Sequence, residues 1–145
     1  MAYSQSDNER FTTAAWMSYR TNQFLVAISN ANLCIEQFEV QAEQVQNDML
    51  RTNATMPPVG RVGTNLFTTI AAEGPLNDVA TCYFIIGESK KQLVHRDGVT
   101  MGEARNAYER AKFFTYARCW DTNGYFWSVA DAANARLKRL PPISK

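Results

Sequence analysis

Most of what marks an enzyme is missing from this sequence. It has one histidine, His95, and three widely spaced cysteines, Cys34, Cys82 and Cys119. There is no P-loop, no G-x-G-x-x-G, no H-E-x-x-H and no cysteine pair at zinc spacing, so the local signatures of phosphate, dinucleotide and zinc sites are excluded. His95 has no serine or cysteine motif beside it, and nothing local pairs a nucleophile with a base. An odd number of dispersed cysteines among apolar and aromatic neighbours makes neither a disulfide framework nor a metal motif. They read as buried free thiols acting as small hydrophobes.

Long apolar runs and excess charge are missing too. The strongest apolar run, residues 79–87, contains Thr81 and stops at Glu88-Ser89-Lys90-Lys91, well short of a membrane span. The first seven residues are polar and lack the apolar stretch of a signal peptide. A soluble, intracellular-type protein without a membrane partner is expected. Fifteen Lys and Arg against 14 Asp and Glu leave a formal net charge of +1. That rules out a polybasic arm or an acidic tail, and it removes one brake on self-association. No internal repeat or low-complexity tract is visible.

The residues present point to helices. The length of 145 residues suits one domain, residues 1–145, with enough apolar content for a core. The first twenty residues read as an extended or irregular lead-in. A first helix is expected over residues 19–32, where Phe24, Leu25, Ile28 and Ala31 recur at helical spacing, with a short connection at residues 30–32. A second, over residues 35–51, carries the stripe Phe38, Ala42, Val45 and Met49 and ends before Pro57-Pro58. Residues 59–70 show no helical period and suit a loop or short strands.

After Glu73-Gly74-Pro75 a third helix, residues 75–87, presents Leu76, Val79, Ala80, Tyr83 and Phe84 to the core. Residues 87–98 read as a polar, mostly basic loop. Thr100 and Glu103 form a T-x-x-E capping box that opens a fourth helix over residues 100–121. Helical composition resumes over residues 125–139, beyond Asn123-Gly124. The fold class is therefore all-α, and short connections between helices one and two and helices three and four predict a four-helix up-down bundle with an irregular or short-strand region.

Two features carry the functional argument. Lys90, Lys91 and Arg96 fall in the predicted loop, and Arg105, Arg110 and Arg118 lie along the fourth helix. On its own this pattern reads first as a solvated charged surface. A lysine-bearing loop beside a helix start can also hold phosphates, because free backbone amides and the helix dipole add to the side-chain charge. A second basic group, Arg136, Lys138, Arg139 and Lys145, complements the C-terminal end of a helix dipole. The aromatics Phe113, Phe114, Tyr116, Trp120, Tyr125, Phe126 and Trp127 crowd the chain after Arg110. One small bundle can hardly cover them all, which favours burial between subunits.

The order of these features over residues 11–118 resembles the coat proteins of rod-shaped plant RNA viruses, the tobamovirus-like family. Phe11-Thr12-Thr13-Ala14-Ala15-Trp16 looks like the family's opening segment, and Gln37-Phe38-Glu39-Val40-Gln41 resembles its Q-F-x-x-Q start of helix two. Pro57-Pro58-Val59-Gly60-Arg61-Val62 is similar to its proline-rich turn, and Gly74-Pro75-Leu76 to its Asp-Pro-Leu step. Glu88-Ser89-Lys90-Lys91-Gln92-Leu93 is similar to its acid-hydroxyl-basic stretch, with lysines in place of arginines. Thr100-Met101-Gly102-Glu103 with Ala107 and Arg110 fits its capped fourth helix.

The resemblance implies a structural, non-enzymatic capsid protein of the virion, assembled in the host cytoplasm. It implies a helical homopolymer around single-stranded RNA, joined head to tail without closing. Lys90, Lys91 and Arg110 then become phosphate contacts, with Arg96, Arg105 and Arg118 behind them, binding without base reading. It also implies carboxylates opposed across subunit contacts, where protons or calcium favour assembly. Glu103 and Asp97 would make one such set, and Asp78 facing Asp48 the other. A flexible-filament coat or a phage structural or accessory protein, without that RNA groove, remains the alternative reading. The stretch 53–74, which includes a small sheet region in the rod-virus fold, discriminates between them.

Overall fold

A computed structural model describes residues 6–121 and 123–142. Met1 to Gln5 and Lys145, which entered the argument above, lie outside the described residues. Among these are six helices and one two-stranded antiparallel sheet: α1 (Asp7–Arg20), α2 (Phe24–Arg51), α3 (Thr64–Ala71), α4 (Gly74–Leu93), α5 (Met101–Phe113), β1 (Arg118–Trp120), β2 (Phe126–Ser128) and α6 (Val129–Arg139). The protein is mostly helical with a short-strand region, and the described residues form six helices where four were expected.

α1 corrects the expectation of an irregular lead-in. Its buried face is Asn8, Thr12 and Ala15, spaced four and three residues apart as a helix requires. Two of the three are polar, so hydrophobic periodicity missed it. Asp7 and Glu9 sit in the first turn and Arg20 in the last, both favourable to the helix dipole. The helix start expected at residue 19 falls instead in the last turn of α1.

α2 runs unbroken for 28 residues. Asn30 and Asn32 do not interrupt it, because Ala27, Ala31, Cys34 and Ile35 carry one buried face straight through. Packing outweighs weak helix propensity here. α3 replaces the loop or strands expected near residues 64–71. Ahead of it, Gly60 exchanges two backbone hydrogen bonds with Phe126, at 2.8 and 3.0 Å, using a φ of +92° that glycine adopts without strain.

α4 continues to Leu93, so Lys90 and Lys91 stand on its last turn and not in a loop. Leu93 is buried and anchors that turn, and the two lysines suit the negative end of the dipole. α5 stops at Phe113 rather than continuing to residue 121. Beyond it β1 pairs with β2 in the register Arg118 to Ser128, Cys119 to Trp127 and Trp120 to Phe126.

The core is built around α4, which touches each of the other five helices. Leu76, Val79 and Ile85 from α4 and Tyr108 from α5 are fully buried with Phe114 and Val129. Alanines at 15, 27, 31, 80, 104, 107, 111 and 133 fill the helix contacts, and small side chains let helix axes approach closely. Contacts from Asn8 to Asp78 and from Tyr19 to Glu88 show that α1 and α4 run the same way. Lys90 beside Glu103 and Tyr83 beside Phe114 show that α5 runs against α4. Arg105 meets Pro141, beyond the end of α6, which places the C-terminal end of α6 beside the start of α5.

Candidate functional site

The last turns of α4, the turn after it, the start of α5 and the end of α6 meet at one end of the molecule. Lys90 Nζ lies 3.9 Å from Glu103 Oε1 and Lys91 Nζ 4.0 Å from Glu88 Oε1. Both ammonium groups keep access to solvent at those separations. Arg96 is exposed and its guanidinium sits over the Phe24 ring, 5.7 Å from the centroid. Arg105 Nη2 donates to the Pro141 carbonyl at 2.7 Å. Lys138 and Arg139 are exposed on the last turn of α6, with no ion pair among the described residues.

Three acids temper this charge. Asp97 is exposed in the turn. Glu103 closes the capping box: Thr100 N–H donates to its carboxylate at 2.7 Å, and Glu103 N–H donates to Thr100 Oγ1 at 3.2 Å. The Thr100 backbone bond holds the Glu103 carboxyl below the usual range, so it stays ionised. Glu88 is buried and almost surrounded: Arg136 Nε donates to it at 2.7 Å, Tyr108 Oη at 2.6 Å and Tyr19 Oη at 3.3 Å. Burial, then the Glu88 carboxylate, push the Tyr108 hydroxyl up, so it remains a donor. The network ties α1, α4, α5 and α6 together beneath the cationic surface.

The other predicted phosphate contacts do not join this end. Arg110 faces α2, with Nη2 donating to Glu43 at 2.5 Å and Glu39 at 3.1 Å. Tyr83 also donates to Glu39. The Arg110 guanidinium lies 5.1–5.3 Å from the ring centroids of Tyr83, Phe113 and Phe114. Burial alone would lower its pKa, but Tyr83, Glu39 and Glu43 outweigh that and hold it charged. Arg118 is buried, donating to the carbonyls of Pro57, Thr115 and Ala117. Both arginines tie separate elements of the fold together.

The chain matches no protein-family model, no curated protein and no solved structure. What the surface can do therefore rests on its own chemistry.

Of the predicted carboxylates, Asp97 and Glu103 lie at the cationic end. Asp48 pairs with Arg51 at 3.3 Å at the end of α2. Asp78 stands near the start of α4, where Asn8 Nδ2 donates to it at 2.6 Å, and it does not pair with Asp48 within the subunit. No cluster of three or more His, Cys, Asp or Glu suited to a metal occurs among the described residues. His95 is exposed with a φ of +73°. Cys34 and Cys82 are buried, and burial pushes the half-buried Cys119 thiol up to about 11, which makes it a poor nucleophile.

Sequence reading missed Glu88 as the organiser of this end, and it missed the arrival of Arg136, Lys138 and Arg139 beside the fourth predicted helix. Local spacing carries no signal that α6 folds back along α5. The buried side of Glu88 could have been found from its place one helical turn beyond Phe84 and Ile85.

Proposed function

We propose that the chain is a self-assembling coat subunit that polymerises into a helical rod around single-stranded RNA, with the cationic end as its phosphate-binding surface. The observation that carries this reading is the convergence of Lys90, Lys91, Arg96 and Arg105 with Lys138 and Arg139 at one end of the molecule. Such a set neutralises a sugar–phosphate backbone without reading bases, as a coat covering every sequence must. In this reading Arg110 and Arg118 act inside the subunit. On the same reading α1, α2, α4 and α5 would supply the four helices of the bundle, and the Gly60–Phe126 bridge with the β1–β2 hairpin would supply its small sheet region.

Exposed apolar side chains support the polymer. Val26, Leu33 and Val40 stand at seven-residue intervals on α2 and are 47%, 40% and 71% exposed. Residues seven apart share a helix face, so these form a stripe that the subunit itself leaves uncovered. Leu66, Phe67, Trp120 and Tyr125 are exposed around α3 and the hairpin. Apolar surface of this kind marks contact with another protein.

Sedimentation across pH and salt, with electron micrographs and the ratio of nucleic-acid to protein absorbance, tests the reading. Rods or discs that take up RNA are expected. A protein that stays monomeric throughout refutes assembly. Particles free of nucleic acid would point instead to a structural or accessory assembly protein without an RNA groove.

A further inference from the structure

At the opposite end of α4 from the lysines, a cleft of about 530 Å³ opens between α1, α3, the first turns of α4 and the hairpin. Asp78 stands in its wall, half-buried, and accepts from Asn8. Among the described residues it has no ion pair. The charged and titratable groups around it do not supply one. From α1 comes Glu9, of the same sign. From α4 and β1 come Cys82 and Cys119, whose thiols are kept protonated, the first chiefly by its contact with Cys34 and then by burial, the second by burial. Asp121, just beyond β1, adds a further negative charge near Cys119, and Arg20 at the end of α1 adds a positive one there. Arg118 lines the cleft, but its guanidinium is committed to carbonyl groups.

A carboxylate removed from water without a partner charge is costly. Burial pushes Asp78 up to about 6, so near neutral pH it is still mostly ionised. Among otherwise mostly polar or small lining residues, the aromatic rings of Trp16, Phe67 and Trp120 face the same cleft, with Phe67 and Trp120 edge to face at 5.8 Å. Indole and phenyl faces attract organic cations. Arg20 already lies over the Trp16 ring, 5.6 Å from its centroid.

We propose that this cleft binds an organic cation, a guanidinium or primary ammonium group on an apolar stem, with Asp78 as its counter-ion and Trp16, Phe67 and Trp120 around the cation and its stem. The volume suits a side chain or small amine. A bare metal ion would leave the rings unused and finds no cluster of ligands here. The cation can be an arginine or lysine side chain of a second copy or a free amine, and the chemistry is the same for both. The proposal is independent of RNA binding at the other end.

The test uses the full chain with n-butylguanidinium as probe and uncharged n-butylurea as control, followed by tryptophan fluorescence and calorimetry. Saturable binding of the guanidinium alone is expected at pH 7.5. Asp78→Asn keeps an acceptor for Asn8 and should weaken binding about tenfold or more. Trp120→Leu provides a second, independent variant and should weaken it several-fold, about what one cation–π contact contributes. In the native chain, affinity should fall about tenfold for each pH unit below 6, as a proton competes for Asp78. Equal binding of the urea, unchanged binding by folded Asp78→Asn, or no saturable signal would each overturn the proposal. Sedimentation with the probe assigns the source, since dissociation of an oligomer marks a side chain from a second copy. An unchanged oligomer alongside saturable binding marks a free amine.

Discussion

Glu88 and Asp78 are two carboxylates on one helix with opposite circumstances. Glu88 has Arg136, Tyr108 and Tyr19 around it, and the arginine supplies its counter-charge. Asp78 has an amide donor and no cation. The difference becomes a pH dependence. The ordinary value for Asp78 is 3.8, and burial raises it to about 6 in the folded chain. Below 3.8 both folded and unfolded chains are protonated there, and no penalty exists. As pH rises towards 6 the unfolded chain releases its proton first, so stability is lost progressively through that window. Asp78→Asn should therefore be more stable than the native chain at pH 7.5 by about 2–3 kcal/mol, and the two should converge below pH 4. Urea unfolding at both pH values checks this, and a destabilised Asp78→Asn at pH 7.5 would contradict it.

At the scale of elements, α5 has the best-formed start in the molecule, and it is the one start that the sequence announces fully. Thr100 and Glu103 satisfy each other's backbone amides as the T-x-x-E spacing predicts. Thr100→Ala removes one of those bonds and loosens the other, so a loss of about 1 kcal/mol is expected in chemical denaturation. A change within a few tenths would mean that packing by Tyr108 and Ala104 holds the turn without its cap. The same logic explains what could be read in advance. Apolar stripes such as Phe38, Ala42, Val45 and Met49 announced the later part of α2, and Leu76, Val79 and Ala80 announced α4. The helices that escaped are those whose buried faces are small or polar, as in α1 with Asn8, Thr12 and Ala15. α3 has only Ile70 buried, which leaves little periodicity to read. Of the candidate site, Lys90, Lys91, Arg96 and Arg105 were legible as charge beside a helix start. The inward turn of Arg110 was not, since Glu39 and Glu43 lie some seventy residues away in sequence.

For the whole molecule, the consequential fact is where charge accumulates. Lysines and arginines gather where α4 and α6 end, whereas Asp7, Glu9, Glu73 and Asp78 lie at the starts of α1 and α4. If the cationic end binds RNA as proposed, reversing Lys138 and Arg139 to glutamate should weaken that binding uniformly across sequences. It should also make the logarithmic salt dependence shallower by about 1–2. Filter binding of unrelated oligonucleotides over a salt series measures both, and an unchanged slope would remove α6 from the phosphate surface. The same arrangement sets a surplus of cationic side chains at one end of α4 and acids at the other in a nearly neutral protein. In an applied field or above a negatively charged sheet, separate copies would turn the same way before any of them touched. Orientation, which head-to-tail stacking ordinarily has to find by trial, would then be set by the field, and added salt would weaken it by screening.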